Sequence, residues 1–169
     1  IIDLGTQYSE FYKKAAHKIR LYWELPTEFM KDGKPFAVSR SFTLSFHEKS
    51  QLRHIIESWR GRKFTGDESL SFDITKILGQ PCLLNVAHKD TNGQIFQEIT
   101  SVMALPKGME CPPQINPSFV FDLSDFNQKA FDSLSDSMKE KIKQSAEYKD
   151  LKGEPPPQAQ PVDEDDIPW

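Results

Sequence analysis

The sequence predicts a mainly β chain with added helices: a five-stranded barrel carrying one helix between its third and fourth strands, then a helical extension and an acidic tail. Three observations carry that expectation. Residues 17–25 alternate apolar and polar, residues 52–59 switch to a helical period, and Asn92-Gly93 stands between two β-rich runs. Alternation marks a half-buried strand, apolar residues at i, i+3, i+4 and i+7 mark one stripe of a helix, and Asn-Gly is the strongest short-range hairpin signal.

Taken in order, residues 1–4 read as the remnant of a first strand. In the second, Ile19, Leu21, Trp23 and Leu25 share one face while Lys18, Arg20, Tyr22 and Glu24 share the other. Pro26 is expected to end it, and the Lys-Asp-Gly-Lys run at residues 31–34 supplies turn chemistry before a third β-rich run over residues 36–46. Phe42, Leu44 and Phe46, two apart, are assigned to the core together with Trp23. Leu52, Ile55, Ile56 and Trp59 then predict an amphipathic helix over residues 47–60, with Ser45 and Glu48 at capping-box spacing and Gly61 at its end. A short turn is expected over residues 73–78, followed by strands over 81–88 and 94–105. Three strands, a helix and two strands is the element order of an oligonucleotide-binding barrel, the OB-fold.

Past Leu105 the composition shifts. Pro106, Pro112, Pro113 and Pro117 form a connector, and residues 121–148 read as largely helical, anchored by Phe126, Phe131, Leu134, Met138 and Ile142. That segment is expected to pack back on the barrel, with docking of another protein as the alternative. From Gly153 the chain has too little apolar surface to fold and is rich in proline. The expected organisation is therefore an OB-fold nucleic-acid-binding domain over residues 1–112, a helical extension over 113–152, and a disordered acidic tail over 153–169.

The formal net charge is -4, from 21 Lys plus Arg and 25 Asp plus Glu. Four of those acids fall in residues 163–166, and without them the chain holds 21 of each sign. Residues 1–63 carry 12 basic against seven acidic side chains, so positive charge is concentrated early and negative charge late. Cys82 and Cys111 have no ligand spacing, and His17, His47, His54 and His88 form no HExxH or similar set, so neither a metal nor another cofactor is expected. Walker A, GxSxG and GxGxxG motifs are absent as well, and the chain is expected not to be an enzyme. No apolar run approaches the roughly 20 residues that span a bilayer, so a cytoplasmic protein without membrane contacts is expected.

At the end of the chain Asp163, Glu164, Asp165 and Asp166 precede Ile167, Pro168 and Trp169. An acidic tail that served solubility alone would gain nothing by exposing Ile and Trp. Here the chain resembles bacterial and phage single-stranded-DNA-binding proteins, whose tails end in several Asp followed by Ile-Pro-Phe or a close relative, with Trp169 standing where Phe is usual. Its body is similar to phage early-region proteins in the helix end Trp59-Arg60-Gly61 and in the Leu-Pro-Lys-Gly segment at residues 105–108. The resemblance implies a protein that coats single-stranded DNA in the cytoplasm of a bacterial host during phage replication or recombination. It also implies that the seven tail residues dock on replication or repair enzymes.

Binding a single strand calls for cations along the phosphates and aromatic rings for the bases. Lys18, Arg20 and Tyr22, on the face opposite the core stripe, are the candidates on the second strand, and Arg40 is the candidate on the third. Tyr8, Tyr12, Lys13 and Lys14 add rings and cations in an expected first loop, where the rings alternatively cover the barrel mouth. Arg60, Arg62 and Lys63 are weighed as phosphate contacts, with a solvated helix end that complements the helix dipole as the favoured reading. The alternatives in function are a metal-dependent nuclease, built from carboxylates that meet only in space, and a protein-interaction adaptor with an OB-like barrel.

Overall fold

In the computed structural model, which describes residues 1–153, the alternating stripe of residues 17–25 becomes the middle strand of an antiparallel sheet. The acidic tail beyond Gly153, with the proposed docking residues Asp163 to Trp169, lies outside the described residues. The sheet contains β1 (Ile2–Ser9), β2 (Lys14–Phe29) and β3 (Pro35–Thr43), in that order. Helix α1 (Gln51–Arg60), helix α2 (Gly66–Leu70) and a 3-10 turn at Ile74–Ile77 follow, and β4 (Leu83–Thr91) and β5 (Gln94–Met103) form a second antiparallel pair. The chain then reaches three short helices, α3 (Gln128–Asp132), α4 (Asp136–Lys143) and α5 (Ala146–Lys152).

The expected OB-fold barrel is not formed. The five strands lie in two open sheets, of three and two strands, with no ladder joining them. Closure needs the outer edges of a sheet to pair, and here those edges are engaged otherwise. Along β1, Asp3 N donates to Phe121 O at 2.8 Å, Phe121 N donates to Ile1 O at 3.0 Å, and Thr6 N donates to Glu147 Oε2 at 2.6 Å. Between β3 and β5 the link is a side chain, Arg40 Nη1 donating to Ile99 O at 2.7 Å.

Several local expectations also change. Pro26 does not end β2, because the pairing with β3 shifts between Leu25 and Phe29 and so asks no ladder hydrogen bond of a residue that has no N–H. The expected first loop is mostly hairpin: Tyr8 and Ser9 pair with Ala15 and Lys14, leaving a tight turn in which Lys13 adopts a φ of 47°. Helix α1 begins later than the capping-box spacing suggests, since Ser50 is its N-cap, accepting from Arg53 N at 3.4 Å, while its own hydroxyl donates to Ser45 O. Gly61 ends that helix at a φ of 68°, and Asn92 and Gly93 turn the second hairpin at 55° and 81°.

Two apolar cores result. In the first, Ile19, Leu21, Trp23, Val38 and Phe42 on one face of the three-stranded sheet pack against Leu52 and Ile56 of α1 and against Ile99 and Val102 of β5. Leu44, expected among them, lies one residue beyond the end of β3 and is 37% exposed. In the second core, Ile2 and Leu4 of β1 pack with Phe121, Leu123, Phe131, Leu134, Met138 and Ile142. The helical extension thus packs on β1, and the approach is close: Gly5, at a φ of 67°, leaves so little room that a Cβ there would sit 2.6 Å from Ser145 Cβ.

Candidate nucleic-acid interface

Because residues paired across an antiparallel ladder share a face, the register sorts the predicted site residues directly. Lys18 pairs with Thr43, Arg20 with Ser41 and Tyr22 with Ser39. These six line the outer face of the sheet, opposite the first core. Lys14, paired with Ser9, extends the same face toward the β1–β2 turn. Arg40 pairs with Leu21 and therefore lies on the core side, where its guanidinium sits 5.2 Å from the Phe42 ring centroid and donates to Ile99 O and, at 3.3 Å, to Gln51 Oε1. It joins the two sheets and is not brought together with the other predicted residues.

Over β2 and β3 the outer face is polar and basic, with Tyr22, Ser41 and Thr43 exposed and Lys18 and Arg20 half-buried, whereas at β1 the partner of Arg20 is Ile2, which the second core covers. Lys18 Nζ donates to Thr43 Oγ1 at 2.6 Å, and Arg20 donates to Ser39 Oγ through Nε at 3.0 Å and Nη2 at 2.8 Å. Those contacts fix where both cations sit and leave further N–H groups on each for an incoming acceptor. Arg20 also lies 5.8 Å from the centroid of Tyr22, whose residue is 44% exposed. Ser39, Ser41 and Thr43 were not singled out from the sequence; their alternation with Arg40 and Phe42 was the available signal. On β2 the first carboxylate of this face is Glu24. It is occupied, accepting from Ile115 N at 2.6 Å and from Asn116 N and Nδ2 at 2.9 and 2.6 Å. Desolvation would raise its pKa, but the three hydrogen bonds together outweigh that effect and hold the carboxyl below its usual range.

The remaining predicted rings lie at the end of the β1–β2 hairpin. Tyr8 pairs with Ala15 and so projects from the opposite face to Lys14, whereas Tyr12 and Lys13 belong to the turn itself. Phe11, beside them, is 87% exposed and meets Tyr12 edge to face at 4.8 Å. At the other end of the face, Tyr22 also lines a groove of about 870 Å3 whose walls include Trp23, Trp59, Pro81 and Met109. The indole N–H of Trp23 is buried there without an acceptor, and Trp59 donates to Pro81 O at 3.0 Å. Cys82 lines the same groove, and burial pushes its thiol up to about 12, so it remains protonated.

Among the described residues no group of three or more His, Cys, Asp or Glu side chains is placed to hold a metal ion, and no helix is long and apolar enough to cross a membrane. Comparison of the chain with protein-family models, curated proteins and solved structures gives no significant match.

Proposed function

We propose that the chain binds single-stranded DNA across the outer face of β2 and β3 and performs no chemistry of its own. The observation that carries this reading is the set Lys14, Lys18, Arg20 and Tyr22 on one strand face, joined by the hydroxyls of β3 and free of carboxylates on β2 up to Glu24. Cations and hydroxyls there suit phosphate oxygens, and Tyr22 offers a ring on which a base stacks for about 1–3 kcal/mol. The exposed rings Phe11 and Tyr12 would extend the platform beyond the sheet.

In this reading the protein coats unpaired DNA during phage replication or recombination in a bacterial host, and Asp163, Glu164, Asp165, Asp166, Ile167, Pro168 and Trp169 recruit partner enzymes. An apolar anchor with acidic flanks gives fast, electrostatically steered exchange among partners whose pockets are rimmed by Lys and Arg. The test is fluorescence anisotropy of a labelled oligo-dT, with and without divalent metal, over a range of salt. Binding that weakens steeply with salt and leaves the oligonucleotide intact is the expected result. Cleavage would point to a nuclease, and no binding at low salt to an adaptor.

A further inference from the structure

Arg60, at the C-terminal end of α1, is not solvated as expected, whereas the side chain of Arg62 is 60% exposed. The Arg60 side chain is only 16% exposed and its guanidinium lies 4.5 Å from the Phe64 centroid and 5.2 Å from that of Phe72. Both arginines converge on one carboxylate: Arg62 Nη1 and Nη2 donate to Glu68 at 2.9 and 2.7 Å, and Arg60 Nη2 donates to Glu68 Oε1. These side chains, with Lys76, line a hollow of about 500 Å3. The hollow therefore holds three cations against a single anion.

The exposed cations go beyond a structural clasp. Arg60 Nη1 is buried against the Phe64 and Phe72 rings, whereas the Arg62 side chain is 60% exposed and Lys76, also exposed, forms no ion pair among the described residues. Glu68 has only two oxygens and both are already engaged by the arginines. A tetrahedral phosphoryl group carries more oxygens, and the guanidinium fork matches its geometry.

We propose that this hollow is a phosphate-binding pocket, with Arg62 and Lys76 as its ligands and with Glu68, itself held by Arg60, as the internal anion that keeps the Arg62 guanidinium in position. The hydrogen bonds from Arg62 lower the Glu68 carboxyl most, desolvation opposes them, and Arg60 adds to the lowering, leaving it at about 2 and charged throughout the physiological range. The pocket shares Trp59, Pro81 and Leu105 with the groove that begins at Tyr22, so a strand leaving the outer face has a continuous wall to follow. Assigning the phosphate to a DNA strand rests on the function proposed above; the phosphate chemistry of the pocket does not.

The experiment uses the full chain and the double variant Arg62→Ala/Lys76→Ala, whose two residues are exposed enough to be replaced without disturbing the core. Pyrophosphate is titrated while backbone amide NMR shifts are followed, and oligo-dT binding is measured by anisotropy. Saturable pyrophosphate binding with shifts at residues 60–62 and 76, weakened about tenfold in the double variant through the loss of two charge-assisted contacts, is the expected result. Absent saturation, or equal binding by both proteins, overturns the pocket. If oligo-dT binding survives the double variant unchanged but is lost on replacing Lys18 and Arg20, the pocket does not serve the strand. If oligo-dT never binds while pyrophosphate binding depends on Arg62 and Lys76, the pocket stands and the DNA-binding reading fails.

Discussion

Replacing Lys18 and Arg20 together by alanine separates phosphate binding on the outer face from all other ways of holding a strand. Both side chains sit on the outer face, anchored only to the hydroxyls of Thr43 and Ser39, so their removal leaves no buried group without a partner. Each cation that neutralises a phosphate of single-stranded DNA contributes about -0.7 to the slope of log affinity on log salt, so the pair accounts for about -1.4. Between about 50 and about 200 mM salt the wild-type chain should therefore lose about sevenfold more affinity than the double variant. Anisotropy titrations of labelled oligo-dT at four or five salt concentrations measure both slopes. Parallel slopes would refute the placement of phosphates on this face, even if the variant bound more weakly throughout.

Further outcomes are expected elsewhere. Tyr22→Ala should weaken oligo-dT binding by about 1–3 kcal/mol at every salt concentration, while Tyr22→Phe, which keeps the ring, should not, as the same titrations would reveal. Arg40→Ala should lower stability to urea by about 1–3 kcal/mol, through the lost hydrogen bond to Ile99 O, yet leave the salt slope untouched. Gly5→Ala combines about 1–2 kcal/mol for a left-handed backbone with about 1–3 kcal/mol for overpacking against Ser145 and Glu147, and urea unfolding should show a loss of stability near their sum. Desolvation raises the Glu147 carboxyl, but the hydrogen bonds from Thr6 and the proximity of His17 outweigh it and leave it below its ordinary value. A lowered folded value stabilises above the unfolded one and is lost as pH falls through it, so Glu147→Gln should flatten the fall in urea midpoint between about pH 5 and about pH 3.

Local chemistry was legible where one short run of residues decided the outcome. The alternation through Ile19, Leu21 and Trp23 reported its buried face, Gly61 its helix end and Asn92-Gly93 its turn. The same rule of two also placed Arg40 with Phe42, on the buried side, and was not applied to it. Barrel closure was not legible because it depends on which distant segment reaches a strand edge first. Phe121 takes the edge of β1, and nothing in the local pattern of either segment announces that pairing. The Arg60, Arg62 and Glu68 cluster was missed for a related reason: a cation at a helix end looks the same in sequence whether water or a carboxylate six to eight residues on receives it.

The double allegiance of β1 bears on how a growing chain becomes folded. Ile2 and Leu4 are made long before the groups that cover them, with Asp3 and Leu123 hydrogen-bonded across 120 residues. During synthesis on a ribosome this strand must wait, one edge exposed, until the distal helices emerge. Contacts so remote in sequence slow folding and prolong the exposure of a template for wrong pairing. The nascent chain is thus at its most vulnerable to aggregation between the synthesis of β1 and the emergence of Phe121 to Ile142, and chaperone dependence should centre on that interval.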